Sequence, residues 1–172
     1  MAPHSEQTRL VFTVFDEIDR LWRAVVSLID EGIEAGQFCV VALDRCRPVL
    51  DSSLRAAAIA GRQAELAHLL KTMKPCPWLG PSREVFATSG AVLAELCGAD
   101  GAGHVRPVPP AVAKLRESFA SLSAPCATGL VVSSRSPRQQ SVVTRTLLHH
   151  SSYWVTTHEF AVSPERETCT IA

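Results

Sequence analysis

RLVFTVFDEIDRLWRAVVSLIDEGIEAGQFCVVAL, residues 9–43, changes its apolar period twice, and those two changes decide the fold. Arg9 to Phe15 is rich in β-branched and aromatic side chains and too short for a helix, so it reads as a strand. Asp16 follows as the expected N-cap, where a carboxylate accepts from the unpaired amides of a first helical turn. Ile18, Leu21, Trp22, Val25, Leu28, Ile29 and Ile33 then recur at the 3.6-residue spacing of an amphipathic helix, with Gly36 as its expected stop. Phe38 to Leu43 is a continuous apolar run of strand length. The stretch is a β-α-β unit whose two strands should run parallel through a right-handed crossover.

A second unit of the same kind lies near the C-terminus. Thr128 to Ser134 reads as a strand, and Ser136-Pro137-Arg138-Gln139 opens a helix with three start signals: a Ser cap, Pro at the first helical position and Gln at the capping-box position. That helix runs through Val142, Val143, Leu147 and Leu148 to about His150, and Tyr153 to Phe160 reads as the final strand. The units share a register, with Leu10 aligning on Leu130, Val11 on Val131, Asp16 on Ser136 and Leu28 on Leu148.

Between them, Ser52 to Met73 places Leu54, Ala57, Ile59, Leu66, Leu69, Leu70 and Met73 on a helical pattern that Pro75 ends, and Pro75 to Pro81 reads as a turn or loop. Shorter helices are expected over about Gly90 to Cys97 and Pro110 to Leu122. The expected organisation is therefore a loose N-terminus over 1–8, one α/β (α+β) domain over 9–162 and a loose tail over 163–172. Within the domain, 9–43 and 128–162 form the units and 44–127 a helical middle segment. Two such units combine into a ferredoxin-like sheet of four strands, with the first and third strands central and both crossover helices on one face. Leu10, Phe12 and Val14 point to one face of the first strand while Val11 and Phe15 point to the other, so both faces need a cover. The middle segment, helped by a partner subunit, is expected to supply the second.

The 172 residues suffice for a core without metal or disulfide support, and 17 basic residues balance 17 acidic ones, leaving no global field for nucleic acid or an anionic membrane. No apolar run approaches the ~18 residues of a membrane span, and Met1 to Thr8 lacks a secretory pattern, so the expected location is cytoplasmic. The six cysteines, Cys39, Cys46, Cys76, Cys97, Cys126 and Cys169, are widely scattered and expected to be free thiols.

The pieces V-F-D-E-I-D-R-L over Val14 to Leu21, G-Q-F-C-V-V-A over Gly36 to Ala42, and G-L-V-V-S-S over Gly129 to Ser134 with a helix ending in L-L-H-H resemble the small bacterial general-stress proteins of the 17M and YflT-like kind. The resemblance covers the two outer units. It implies the topology above and a stress-related role, and it supplies no catalytic residues.

Three chemistries are weighed against structural roles. His68, Cys76, Cys97, His104, His149, His150 and His158 are of metal-ligand type but lack a close pair such as C-x-x-C, so no metal or cofactor is expected, and His149-His150 reads as a helix C-terminal cap. Cys76 or Cys126 with His158-Glu159 would need an adjacency that spacing does not supply. The third is an anion site at the helix opening, where Arg135, Ser136 and Arg138 surround unpaired amides. A second arginine cluster, Arg45, Arg47 and Arg55, is expected to pair in part with Asp44 and Asp51. The terminal Cys169-Thr170-Ile171-Ala172 fits C-a-a-X only loosely. The expectation is a non-enzymatic binding or regulatory module, self-associating or acting through a protein partner or a small anion. Its alternatives are a thiol- or metal-dependent enzyme and an accessory subunit of a larger assembly.

Overall fold

The computed structural model describes residues 7–56, 63–75, 85–88, 117, 128–151 and 155–161. The first unit is β1 (Gln7–Phe15), α1 (Ile18–Asp30) and β2 (Phe38–Leu43), and the second is β5 (Thr128–Ser134), α4 (Pro137–His150) and β6 (Val155–Ala161). Between them lie α2 (Arg47–Ala56), α3 (Gln63–Lys71), β3 (Met73–Pro75) and β4 (Val85–Thr88). The middle segment is thus not helical throughout. The helix expected across Ser52 to Met73 is two helices, the first beginning at Arg47, and two short strands follow them. The helices expected near 90–97 and 110–122, together with the loose ends, fall outside the described residues apart from Gln7 and Thr8, which extend β1, and Glu117.

The result is α+β. One sheet of six strands has the order β3-β4-β2-β5-β1-β6, and every neighbouring pair is antiparallel. Both β1 and β2 are antiparallel to β5, so they run parallel to each other, as a β-α-β crossover requires, with β5 lodged between them. β1 and β5 are the inner strands of the four that the two units contribute, with Phe12 opposite Val131 and Phe15 opposite Thr128.

Alternation along the strands sorts the core into two faces. Val11, Phe15, Val40, Ala42, Leu130 and Val132 share one cluster with Leu21, Trp22, Val25 and Leu28 of α1 and Val143 and Leu147 of α4, so both crossover helices cover one face. Leu50 and Leu54 of α2 and Leu66 and Leu69 of α3 join that same cluster. The described part of the middle segment therefore extends the first layer and does not supply the second cover. The opposite face is also closed to solvent, with Leu10, Phe12, Val14, Val41 and Val131 at most 3% exposed. Phe12, Val14, Val25, Val40, Val131 and Leu147, apolar positions of the strands and helices read from the sequence, are all buried.

The helix ends show where local signals decide. Ser136 caps α4 as its sequence implies, its Oγ accepting from the Gln139 amide at 3.1 Å ahead of Pro137. Asp16 does not cap α1. β1 stays paired through Phe15, two residues are needed to turn into the helix, and Glu17 takes the cap position with no side-chain bond to an amide. Nor does Gly36 stop α1. Gly32, at φ +89°, ends it in a Schellman arrangement: its amide donates to the Ile29 carbonyl at 2.9 Å, and the Ile33 amide donates to the Leu28 carbonyl at 3.0 Å while Ile33 enters the core. Among the described residues no helix is long and apolar enough to cross a membrane.

Candidate functional site

The expected anion site lies where β5 turns into α4. Arg135, Ser136 and Arg138 lie on that turn and the first turn of α4, and the fold engages the side chains of Arg135 and Ser136 while Arg138 is exposed. Arg135 Nη2 lies 3.1 Å from Glu34 Oε2 in an exposed ion pair, and Ser136 Oγ is occupied by the Gln139 amide. The Gln139 side chain accepts from the Arg135 amide at 2.7 Å, one residue short of the reciprocal capping-box bond that the sequence suggests. Pro137 has no N–H to offer. Gln37, which is 3% exposed, reaches across from the start of β2: its Nε2 donates to the Ser133 carbonyl at 2.7 Å and to Gln139 Oε1 at 3.2 Å, and its Oε1 accepts from the Glu34 amide. The cluster works as a clamp between the turn before β2 and the turn before α4; Glu34 offsets the charge of Arg135, while Arg138 is exposed and makes no ion pair among the described residues. Gln37 has no motif around it, and its role was not visible in the sequence.

A larger concavity lies at the other end of β2. The chain leaves the sheet at Leu43, makes a 3₁₀ turn over Asp44–Cys46 with Cys46 buried, and enters α2 at Arg47. This turn, α2, α3 and the start of β3 enclose an open cleft of about 910 Å³. Its apolar lining comes from Pro48, Leu54, Ala64, Ala67, Leu70 and Met73, and its charged lining from Asp44, Arg45, Arg47, Asp51 and Lys71. Arg47 is committed within the fold: Nη1 lies 3.3 Å from Asp44 Oδ1, and the guanidinium sits 4.1 Å from the centroid of the Phe86 ring. The expected pairing of the second arginine cluster with Asp44 is thereby met by Arg47, and the Arg55 side chain lies outside the described residues. Asp51 is likewise engaged. Arg45 and Lys71 are exposed and, among the described residues, lie beyond ion-pair distance of any carboxylate.

The histidine pair is placed at the junction of α4 with α1. His150 Nε2 lies 3.1 Å from Ser27 Oγ on α1, so this ring ties two helices together and does not cap a carbonyl. The helix end is closed instead by the Ser151 amide, which donates to the Leu147 carbonyl at 2.8 Å. Burial, the adjacent His149 and Arg23 together hold the His150 imidazole below the usual histidine range. Cys39 and Cys46 are buried free thiols, whereas Cys76, Cys97, Cys126, Cys169, His104 and the His158 side chain fall outside the described residues. Among the described residues no group of three His, Cys, Asp or Glu side chains gathers into a metal-ligand set. Compared with protein-family models, with curated proteins and with solved structures, the chain finds no match.

Proposed function

We propose that this chain is a non-enzymatic binding module that takes a small anionic ligand in the cleft between the turn after β2, α2 and α3. The observation that carries the reading is the pair of exposed cations, Arg45 and Lys71, on a cleft whose other arginine is already neutralised by Asp44. Two cations without an ion pair among the described residues, beside an apolar floor, attract an anion, and a cleft of about 910 Å³ has the size of ordinary small-molecule sites. The scaffold that supports it is proposed to be ferredoxin-like, with β6, β1, β5 and β2 as the four strands and β4 and β3 added at the β2 edge. The resemblance to the general-stress proteins would give such a module a regulatory role.

The test is thermal denaturation with phosphate and short carboxylates added in series. The melting temperature should climb with ligand as RT ln(1 + [L]/Kd), and Arg45→Ala with Lys71→Ala should abolish the rise. No rise at any concentration refutes the reading. A rise abolished by Arg135→Ala with Arg138→Ala, and not by the first pair, moves the site to the start of α4.

Self-association is a second proposal, supported by the edge position of β6. This seven-residue strand pairs with β1 alone among the described strands, and an outer edge of that kind suits pairing with a second copy. Light scattering should report a dimer, and a monomer at high concentration refutes it.

A further inference from the structure

We infer that the ligand of the Arg45–Lys71 cleft is an amphipathic monoanion, a single carboxylate joined to an apolar body such as an acyl chain; this rests on the reading of the cleft as an anion site. Three observations separate that class from inorganic phosphate and from nucleotides. Among the described residues the charged lining sums to one positive charge: Arg45, Arg47 and Lys71 against Asp44 and Asp51. A polyanion would meet both carboxylates with only two uncommitted cations to offset them. The backbone also lacks a phosphate cradle. The cleft meets the first turn of α2 at Arg47 and Pro48, where the proline supplies no N–H, and none of its described lining residues is glycine.

The third observation is the floor. Ala67, Leu70 and Met73 are half-buried over an almost fully buried Leu54, so the exposed parts of these three present apolar surface that a compact anion would leave wet. An apolar body covers that surface, and Met73, unbranched and polarisable, adapts to its shape. At the mouth, Arg45 offers the planar fork that pairs with a carboxylate through two parallel bonds, and Lys71 adds a point charge. One charged head and one apolar body match what the cleft displays.

The experiment is isothermal titration of the whole chain with acetate, hexanoate, octanoate and decanoate, all kept below their micelle concentrations, alongside inorganic phosphate and 1-decanol. Affinity should rise about fourfold for each added methylene, the ratio that burial of one CH₂ gives, and decanoate should bind more tightly than phosphate. Arg45→Met and Lys71→Met, both at exposed positions, should each weaken decanoate about tenfold while leaving decanol unchanged. Their melting temperatures without ligand check that the fold persists. Phosphate binding that depends on Arg45 and Lys71, with no gain from chain length, overturns the inference and leaves the anion site standing. Absence of binding by every anion overturns both. Equal binding of decanol and decanoate overturns the carboxylate assignment.

Discussion

Gln37 joins the two units at the end of the sheet opposite the cleft, and replacing it with Leu should cost the protein about 2–4 kcal/mol. The magnitude follows from what its amide touches. β2 begins at Phe38, paired with Val132, so the next rung of the ladder would set residue 37 against Ser133. The Gln37 side chain completes that rung, donating to the Ser133 carbonyl at 2.7 Å, while its own oxygen accepts from the Glu34 amide at 3.2 Å. Leu has nearly the same volume and offers no polar atom, so both backbone groups lose their partner inside a part-buried contact. Each orphaned group costs about 1–3 kcal/mol, and partial access to water keeps the sum toward the lower end. Gln139 Oε1 loses its 3.2 Å bond to Gln37 but retains the Arg135 amide at 2.7 Å, so it adds little. Equilibrium urea unfolding at pH 7 reads the change as a lower midpoint at constant slope. Arg135→Ala is the internal control, since its pair with Glu34 is about two-thirds exposed on both sides and should be worth under about 0.5 kcal/mol. A Gln37→Leu loss no larger than that of Arg135→Ala would refute the assignment of Gln37 as the joining residue.

Three further outcomes are expected. Ser136→Ala should lower stability by about 1 kcal/mol in the same urea assay through the lost bond to the Gln139 amide, and an unchanged midpoint would discount the cap. Gly32→Ala should cost about 1–2 kcal/mol, because the backbone stands at φ +89° even though nothing lies within 4 Å of an added Cβ. Gly36→Ala, equally open and without a positive φ, should be neutral or stabilise by up to about 1 kcal/mol, so the reverse ranking would return the helix stop to Gly36. For His150 the folded-state imidazole binds its proton less readily than the unfolded one, so its contribution is fully present above the unfolded value of 6.5 and is lost as pH falls through the lower folded value. The stability difference between pH 7.5 and pH 5 should therefore be smaller in His150→Asn than in the unaltered chain, and equal differences would contradict it.

How far the sequence could be read depended on the length and locality of each signal. The long strands and α1 and α4 announce themselves through periodicity over seven residues or more, and Ser136 carries its cap, its proline and its glutamine within four positions. Asp16 and Gly36 misled because each has the right chemistry a few residues from the right place. Whether a strand stays paired one residue longer, or which of two glycines takes the left-handed backbone, is settled by neighbours across the sheet and in the core. β3 and β4 hold three and four residues, too few for alternation to register, and Pro75 reads as a breaker although the outermost strand of a sheet tolerates it. At the helix opening at Ser136 the two arginines are legible because they are close in sequence, whereas the Glu34 that pairs with Arg135 comes from the other unit and was not. The cleft was illegible for the same reason: Arg45 and Lys71 belong to different elements, and only the packing of α3 beside α2 sets them on one concavity.

The lodging of β5 between β1 and β2 governs the order in which this chain acquires structure. While the N-terminal unit is being synthesised, its two strands have no backbone partner in each other. The strand that will hydrogen-bond to both is made last but one, separated from β1 by well over half the chain. Closing so long a loop carries an entropic cost, so although β2 can pair earlier with β4 and β4 with β3, the placement of β1 in the sheet awaits the C-terminal third, which brings β5 and β6 to its two edges. A nascent chain stopped before Thr128 lacks both strand partners of β1 and one of the two partners of β2, and such apolar, β-branched edges left open favour association of chains with one another over folding.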